Sequence, residues 1–344
     1  MRTGIVKDGR YANHHMEPDH VESPERVVGL NRMVEEELRF PFLTLRPRAA
    51  SEKEIALVHD PSYVRLVKST AGRERVVLDP DTSTSELTWE TALLAAGGCI
   101  GAADLILEGK VRNAMALVRP PGHHAEMNAA RGFCIFNNIA IAAEHLIKER
   151  GLRRVLIADF DLHHGNGTQH SFFDRPDVLF FSTHQYPFYP GSGHWSEVGD
   201  GPGEGFTFNV PLAAGKTDED YAFIFERLLA PAARKFSPEF ILVSAGFDIY
   251  GGDPLGGMSV TEEGFGAMAA ILTGLAEELC DGRLLVVLEG GYNLLGLMGG
   301  VKAVIEQMAQ AAPRPAVKPE ASRETSEELL PVLKQMARFW PLKP

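Results

Sequence analysis

Between Asp159 and Gly167 the sequence places two carboxylates, Asp159 and Asp161, and two imidazoles, His163 and His164, followed by Gly165, Asn166 and Gly167. An extended backbone alternates its side chains, so Asp159, Asp161 and His163 share one face while Phe160 and Leu162 take the other. A carboxylate and an imidazole two residues apart on one face can hold the same cation. The first expectation is therefore a metal site at the end of a strand.

Three other segments carry residues suited to the same chemistry. Asp248 follows Ala245-Gly246-Phe247, and with Asp161 and His163 it makes a set of two oxygens and one nitrogen. A catalytic zinc site typically has three protein ligands and one open position, although Fe²⁺, Mn²⁺ or Co²⁺ suits the same donors. His123-His124 follows the stiff run Pro120-Pro121-Gly122 and reads as an acid–base pair. Asp159 could orient one ring and Asn166 the other, and such unequal partners would separate the two rings into different roles. Tyr292, behind Gly290-Gly291, could donate to a developing oxyanion. Each has a plainer reading alone: a turn-capping aspartate, a hydrogen-bonded core histidine, an aromatic covering a sheet edge. Together at four strand ends they point to a site. Gly132-Phe133 and Phe188-Tyr189-Pro190-Gly191 could wall a narrow channel to it. His14, His15 and His20 read better as a solvated loop at a pocket rim than as ligands, because no acidic spacing accompanies them.

The elements that must position these residues alternate. Strands are expected at 3–6, 114–118, 153–158, 178–182, 206–210, 240–244 and 284–288. Helices are expected from Ser23 (as N-cap) to Leu38, at 51–58, 61–69, 88–108, 137–150, 218–235 and 261–280, and from 294 to about 310. Continuous apolar strands between helices mean an α/β fold, a single-domain parallel sheet of about eight strands sandwiched by helices. Residues 1–311 form this domain; 312–323 read as a Pro-rich linker, and Thr325 to Phe339 as a last helix packed on it.

The 344 residues carry a net charge of −12, with 44% apolar and 23% charged residues. With no Lys/Arg cluster, that excludes a general affinity for nucleic acid or anionic membrane. Cys99, Cys134 and Cys280 have no CxxC spacing, which suits a reducing compartment, and Cys134 reads as a buried thiol. The N-terminal run lacks the apolar core of a signal peptide, and no stretch reads as a membrane span, so a cytoplasmic enzyme is expected. A homo-oligomer is left open.

The segments RPPGHHAE (119–126), RGFCIFNN (131–138), DFDLHHGNGTQ (159–169), STH (182–184), YPGSG (189–193), SAGFDIYGGDPLGG (244–257) and LEGGYN (288–293) resemble, in order and spacing, the histone deacetylase superfamily. The likeness covers roughly residues 1–310. Asn166 and the RPPGHHA form point to its class II members and bacterial histone deacetylase-like amidohydrolases. The resemblance implies the arginase/deacetylase fold and one catalytic Zn²⁺ on Asp161, His163 and Asp248. It implies His124 beside Asn166 as general base and proton donor, His123 beside Asp159 as its electrostatic partner, and Tyr292 as carbonyl polariser. It further implies a structural K⁺ held by Asp159, Ser182 and the carbonyls of Asp161, His163 and Thr183, and a substrate tunnel lined by Gly132, Phe133, Tyr189 and Leu255.

The expected reaction is removal of an acetyl group from acetyl-lysine, in a peptide or protein, or from a small N-acetyl amine. Acetylpolyamine hydrolysis is the alternative. Leu255 stands where some polyamine-preferring members carry a gatekeeper Glu, although Glu86 or Glu126 could serve in its place. Asp79 or Asp81 is expected at the tunnel rim. A binuclear Mn²⁺ ureohydrolase and a non-catalytic acyl-lysine binder are the remaining rivals.

Overall fold

Sequence and packing produce ten strands in the computed structural model, which describes residues 2–310, 313 and 315–342. They are β1 Gly4–Val6, β2 Leu43–Leu45, β3 Val76–Asp79, β4 Thr82–Thr84, β5 Ala114–Ala116, β6 Val155–Asp159, β7 Val178–Gln185, β8 Thr207–Leu212, β9 Phe240–Ala245 and β10 Leu284–Leu288. Eight of them pair into one sheet in the order β2-β1-β5-β10-β9-β6-β7-β8, parallel throughout. β3 and β4 form a separate antiparallel hairpin.

The central strands β6, β9 and β10 are buried along their whole length. Their uninterrupted Val, Leu, Ile and Phe runs are what a parallel sheet covered by helices requires. The helices Glu25–Glu36, Asp218–Ile224, Glu262–Cys280 and Leu294–Met308 form one packed group, and Thr88–Leu107 packs with Asn138–Glu144. The result is a single α/β domain, as expected from the alternation.

Several local expectations change. β2 was not anticipated: it is a three-residue edge strand with two residues exposed, too short for a hydrophobic pattern. The hairpin strands β3 and β4 were not anticipated either: both are short, β3 partly exposed and β4 buried. Pro24, not Ser23, occupies the N-cap of Glu25–Glu36, and no side chain caps it. The 137–150 segment begins at Asn138 with Asn137 as its cap, and its last turn, His145–Glu149, widens into a π-helix. Thr88–Leu107 is long and apolar enough by composition to cross a membrane, contrary to the sequence reading, and two-thirds of that window is buried inside the fold. Its Gly98 lies against Val6 of β1 and Tyr11, where a Cβ would come within 2.7 Å of the Tyr11 hydroxyl.

The C-terminal helix spans Arg323–Met336, capped by Ser322. Leu329, Val332 and Met336, followed by Trp340 and Leu342, belong to the main core. The buried Lys216 ammonium meets Glu328 of this helix at 3.1 Å. The expected linker at 312–323 falls partly on residues 312 and 314, which lie outside the described residues.

Candidate active site

β5, β10, β9 and β6 are consecutive neighbours at the centre of the sheet. The segments leaving their carboxyl ends carry His123-His124, Tyr292, Asp248, and Asp161 with His163, so topology alone brings the four motifs to one edge. Glu289, the first residue after β10, fastens two of these segments together. Its Oε2 accepts from the Gly122 and His123 main-chain N–H groups at 2.7 and 3.2 Å, and its Oε1 accepts from the Ser244 hydroxyl at 3.0 Å.

Asp161, His163 and Asp248 offer ligand atoms that all lie within 4.8 Å of one another. His163 Nδ1 is 3.1 Å from Asp161 Oδ1 and 3.1 Å from Asp248 Oδ2. That separation approaches the edge of about 3.4 Å in a tetrahedron with metal–ligand bonds of about 2.1 Å. Main-chain N–H groups hold the carboxylates in place: His163 and Gly290 donate to Asp161 at 2.8 and 2.9 Å, and Leu162 donates to Asp248 at 3.0 Å. Gly290 is required there, since a Cβ would fall 2.4 Å from Asp248 Oδ2 and 2.6 Å from Asp161 Oδ2.

The electrostatics also call for a cation. Asp159, Asp161, Asp248 and Glu289 are all fully buried. Burial and the neighbouring Asp161 charge push Asp248 up to about 7, and burial pushes Glu289 to about 7 against the pull of His123. The nearby guanidiniums of Arg26 and Arg119 are engaged with Glu22 and main-chain carbonyls. Four buried carboxylates outnumber His123 and His163, the two imidazoles whose protonation they favour, and a divalent ion held by two carboxylates and an imidazole relieves the cost of that excess. The donor set therefore fits zinc or a similar ion. A second triad, His123, Cys134 and Glu289, has the same ligand-atom spacing. It is a poorer site: the Glu289 oxygens already accept three hydrogen bonds, and burial raises the Cys134 thiol well above its ordinary value.

The tandem histidines have the unequal partners expected of them. His123 Nδ1 lies 3.0 Å from Asp159 Oδ2, and His124 Nδ1 lies 2.7 Å from Asn166 Oδ1. Burial opposes a charge on His123, but Asp161 and Asp159 outweigh it and hold the ring near 10. His124 faces an amide instead, and burial together with His123 and His163 depresses it well below 6.5. The unequal partners thus drive the two rings apart, His123 toward the charged form and His124 toward the neutral one. Asp159 also accepts from the Asp161 N–H at 3.1 Å and pairs across the sheet with Ser182. The Thr183 hydroxyl donates to the Asp159 carbonyl at 3.4 Å, so Asp159, Asp161, Ser182 and Thr183 adjoin one another.

A cavity of about 160 Å³ opens above the histidines, lined by Gly132, Phe133, Tyr189 and Leu255 together with Asp81, His163 and Tyr292. It is well below the roughly 300–1,000 Å³ of a drug-sized pocket and suits a slender chain. Tyr189 packs edge-on to His124 with centroids 5.1 Å apart, and Phe188 stacks on His163 at 5.6 Å. Gly132 and Phe133 both have left-handed backbone, φ +53° and +68°. The Asp81 carboxylate and Thr82 hydroxyl accept from their N–H groups at 3.1 and 2.9 Å. Asp81 is thus at the rim, as expected. Glu126 turns away to Asn166 and His170, and neither it nor the exposed Glu86 is among the lining residues.

One placement differs from the sequence reading. His14 is fully buried against Thr88 and is not solvated, because its partner comes from a remote helix. His164 binds Ser192 and Gln169 at 2.8 and 2.9 Å, tying the Tyr189 loop to the His163 segment. Sequence reasoning missed Glu289 and the buried Glu22–Arg26–Arg119 cluster. The available signal was Arg119, a charge one residue beyond the apolar run of β5, where burial demands a partner.

A family profile described as a histone deacetylase domain matches residues 20–308. A probable deacetylase of Archaeoglobus fulgidus is 41% identical over 87% of this chain and 83% of its own length. The human polyamine deacetylase HDAC10 is 43% identical over 84% of the chain, which spans 44% of that protein. The crystal structure of the HDA15 HD domain superposes with a TM-score of 0.93 at 38% identity, covering 99% of this chain and 97% of the other. The matched span contains all four strand-end segments, and on that ground the chain belongs to the histone deacetylase family.

Proposed function

We propose that this chain is a zinc-dependent amidohydrolase that removes the acetyl group from acetyl-lysine or a similar N-acetyl amine. Membership of the histone deacetylase family supports the deacetylase chemistry. The observation that carries the finer reading is that one narrow cavity is lined by His123, His124, His163 and Tyr292. In this reading Asp161, His163 and Asp248 hold Zn²⁺. Asp159, Ser182 and the carbonyls of Asp161, His163 and Thr183 hold K⁺.

Zinc held in this cradle would acidify a water and polarise the acetamide carbonyl. The chain's own groups do the rest. His124, neutral and with Nδ1 turned to Asn166, takes the proton of the attacking water at Nε2 and returns it to the leaving amine. His123, held by Asp159 through Nδ1, tunes the field around the negative charge that develops beside it. Burial and Asp248 hold the Tyr292 phenol protonated, so it donates to the oxyanion. The aromatic walls admit an unbranched alkyl chain and exclude bulk water.

A polyamine substrate is the second reading, favoured by the relative that bears that name. The lining position Leu255 supplies no charge to read a distal amine, and Glu126 is occupied elsewhere. A panel of acetyl-lysine peptide, acetylspermidine, acetylputrescine and a short aryl acetamide decides between them. Acetyl-lysine peptide is expected to give the highest kcat/KM; a preference for acetylspermidine would reverse the assignment.

A further inference from the structure

The hydrogen bonds around His124 continue past Asn166 toward the surface. The amide of Asn166 presents Oδ1 to His124 Nδ1 at 2.7 Å. Its other end, Nδ2, lies 2.5 Å from Glu126 Oε1 and 3.3 Å from the His124 main-chain carbonyl. Glu126 is itself clamped by His170, whose Nδ1 is 3.0 and 2.9 Å from its two oxygens. Burial opposes ionisation of Glu126, yet the His170 bond and charge hold it below its ordinary value, so it is a carboxylate.

A carboxylate and a main-chain carbonyl can only accept, so the NH₂ of Asn166 must face them and its oxygen must face the ring. That oxygen needs a proton on His124 Nδ1. A neutral imidazole with Nδ1–H carries its lone pair on Nε2, the nitrogen that must accept a proton in the reaction. An amide is nearly symmetric in shape. Turned over, it would offer NH₂ to Nδ1, move the ring proton to Nε2 and leave a base that cannot accept there. The turned-over amide would also set Oδ1 against the Glu126 carboxylate.

We propose that Glu126 is a positioning residue: by accepting from Asn166 Nδ2 it fixes the amide orientation that holds His124 in its Nδ1–H tautomer. The inference rests on the reading of His124 as the base.

The test is a double-mutant comparison in the zinc-loaded protein, with metal content and circular dichroism recorded for each variant. Glu126→Ala should lower kcat at least roughly tenfold with KM and zinc little changed. Glu126→Gln, which can still accept through its amide oxygen, should stay within about threefold of the parent. Asn166→Asp removes the amide ambiguity and places a second carboxylate against Glu126, so in that background Glu126→Ala should cost nothing or raise kcat. Equal losses in both backgrounds would mean that Glu126 serves packing alone and would overturn the proposal. Glu126→Met replaces the Ala variant if the latter does not fold.

A second readout needs no turnover. In ¹⁵N-histidine-labelled protein the His124 ring should show Nδ1 protonated and Nε2 bare, and Glu126→Ala should mix the two tautomers. An unchanged tautomer in that variant would also overturn the proposal. A tautomer change in a protein that releases no acetate would instead sink the deacetylase reading and leave this one standing.

Discussion

Tyr292 is fixed by its main chain and left open at its ring. The Asp253 carboxylate accepts from the Tyr292 and Asn293 N–H groups at 2.7 and 3.0 Å, while the ring meets Phe133 edge-on at 5.9 Å and the Arg26 guanidinium at 5.1 Å. Because the phenol stays protonated far above neutral pH, its contribution to the proposed reaction would be one hydrogen bond to an oxyanion. Tyr292→Phe should lower kcat by about 10²–10³ with metal content unchanged; loss of metal in that variant would contradict the role. Gly132 makes a complementary prediction. A Cβ there would lie 2.3 Å from His124 Cδ2, on a backbone with φ +53°. Gly132→Ala should therefore displace the ring and lower kcat/KM by roughly tenfold or more. An unchanged rate would show that the ring position is uncritical. At this scale the pairing of the histidines with Asp159 and Asn166 was legible, because motif spacing offered both partners. Glu289 was not, since its three hydrogen bonds run to β9 and to the loop after β5, which only the sheet order brings near.

The elements were read where the strand is apolar and buried and lost where it is exposed or polar. β6, β9 and β10 follow from apolar runs, whereas β2 is an edge strand with two of its three residues exposed, β3 is partly exposed and β4 is a buried run of Thr and Ser with no apolar signal. The cluster that secures the loop before Glu25–Glu36 to the site joins residues far apart in sequence. Glu22 accepts from Arg119 at 2.5 and 2.7 Å and from Arg26 at 3.0 Å, all three side chains being buried. Its carboxyl is lowered from 4.5 to about 2: burial works against ionisation, and the two guanidiniums outweigh it. A depressed carboxyl contributes stability that is fully present above its unfolded value and is lost as pH falls toward the folded one, here between about 4.5 and 2 and amounting to about 3 kcal/mol. Denaturant midpoints taken across that range should fall for the parent, and Glu22→Gln should lack that component. The C-terminal helix makes a separate prediction: Val332 is 0% exposed, so Val332→Asp should cost about 3 kcal/mol or more. A midpoint equal to the parent's would show that this helix is not docked.

Across the whole molecule, four neighbouring strands bring two carboxylates and an imidazole spaced for a metal, two histidines with unequal partners, and a phenol to one cavity. The fold class and these groups were visible in the sequence because each sits directly after a strand. The cavity's size and the turning of Glu126 away from it were not, because they depend on the left-handed turn at Gly132-Phe133 and on a bond to Asn166. On the proposed reading this edge works as a mononuclear metal hydrolase. The most direct measurement is acetate release from an acetyl-lysine peptide by metal-stripped protein titrated with Zn²⁺. Turnover should rise linearly and reach its plateau at one equivalent per chain. No acetate at any ratio, or a plateau only at two equivalents of Mn²⁺, would contradict it.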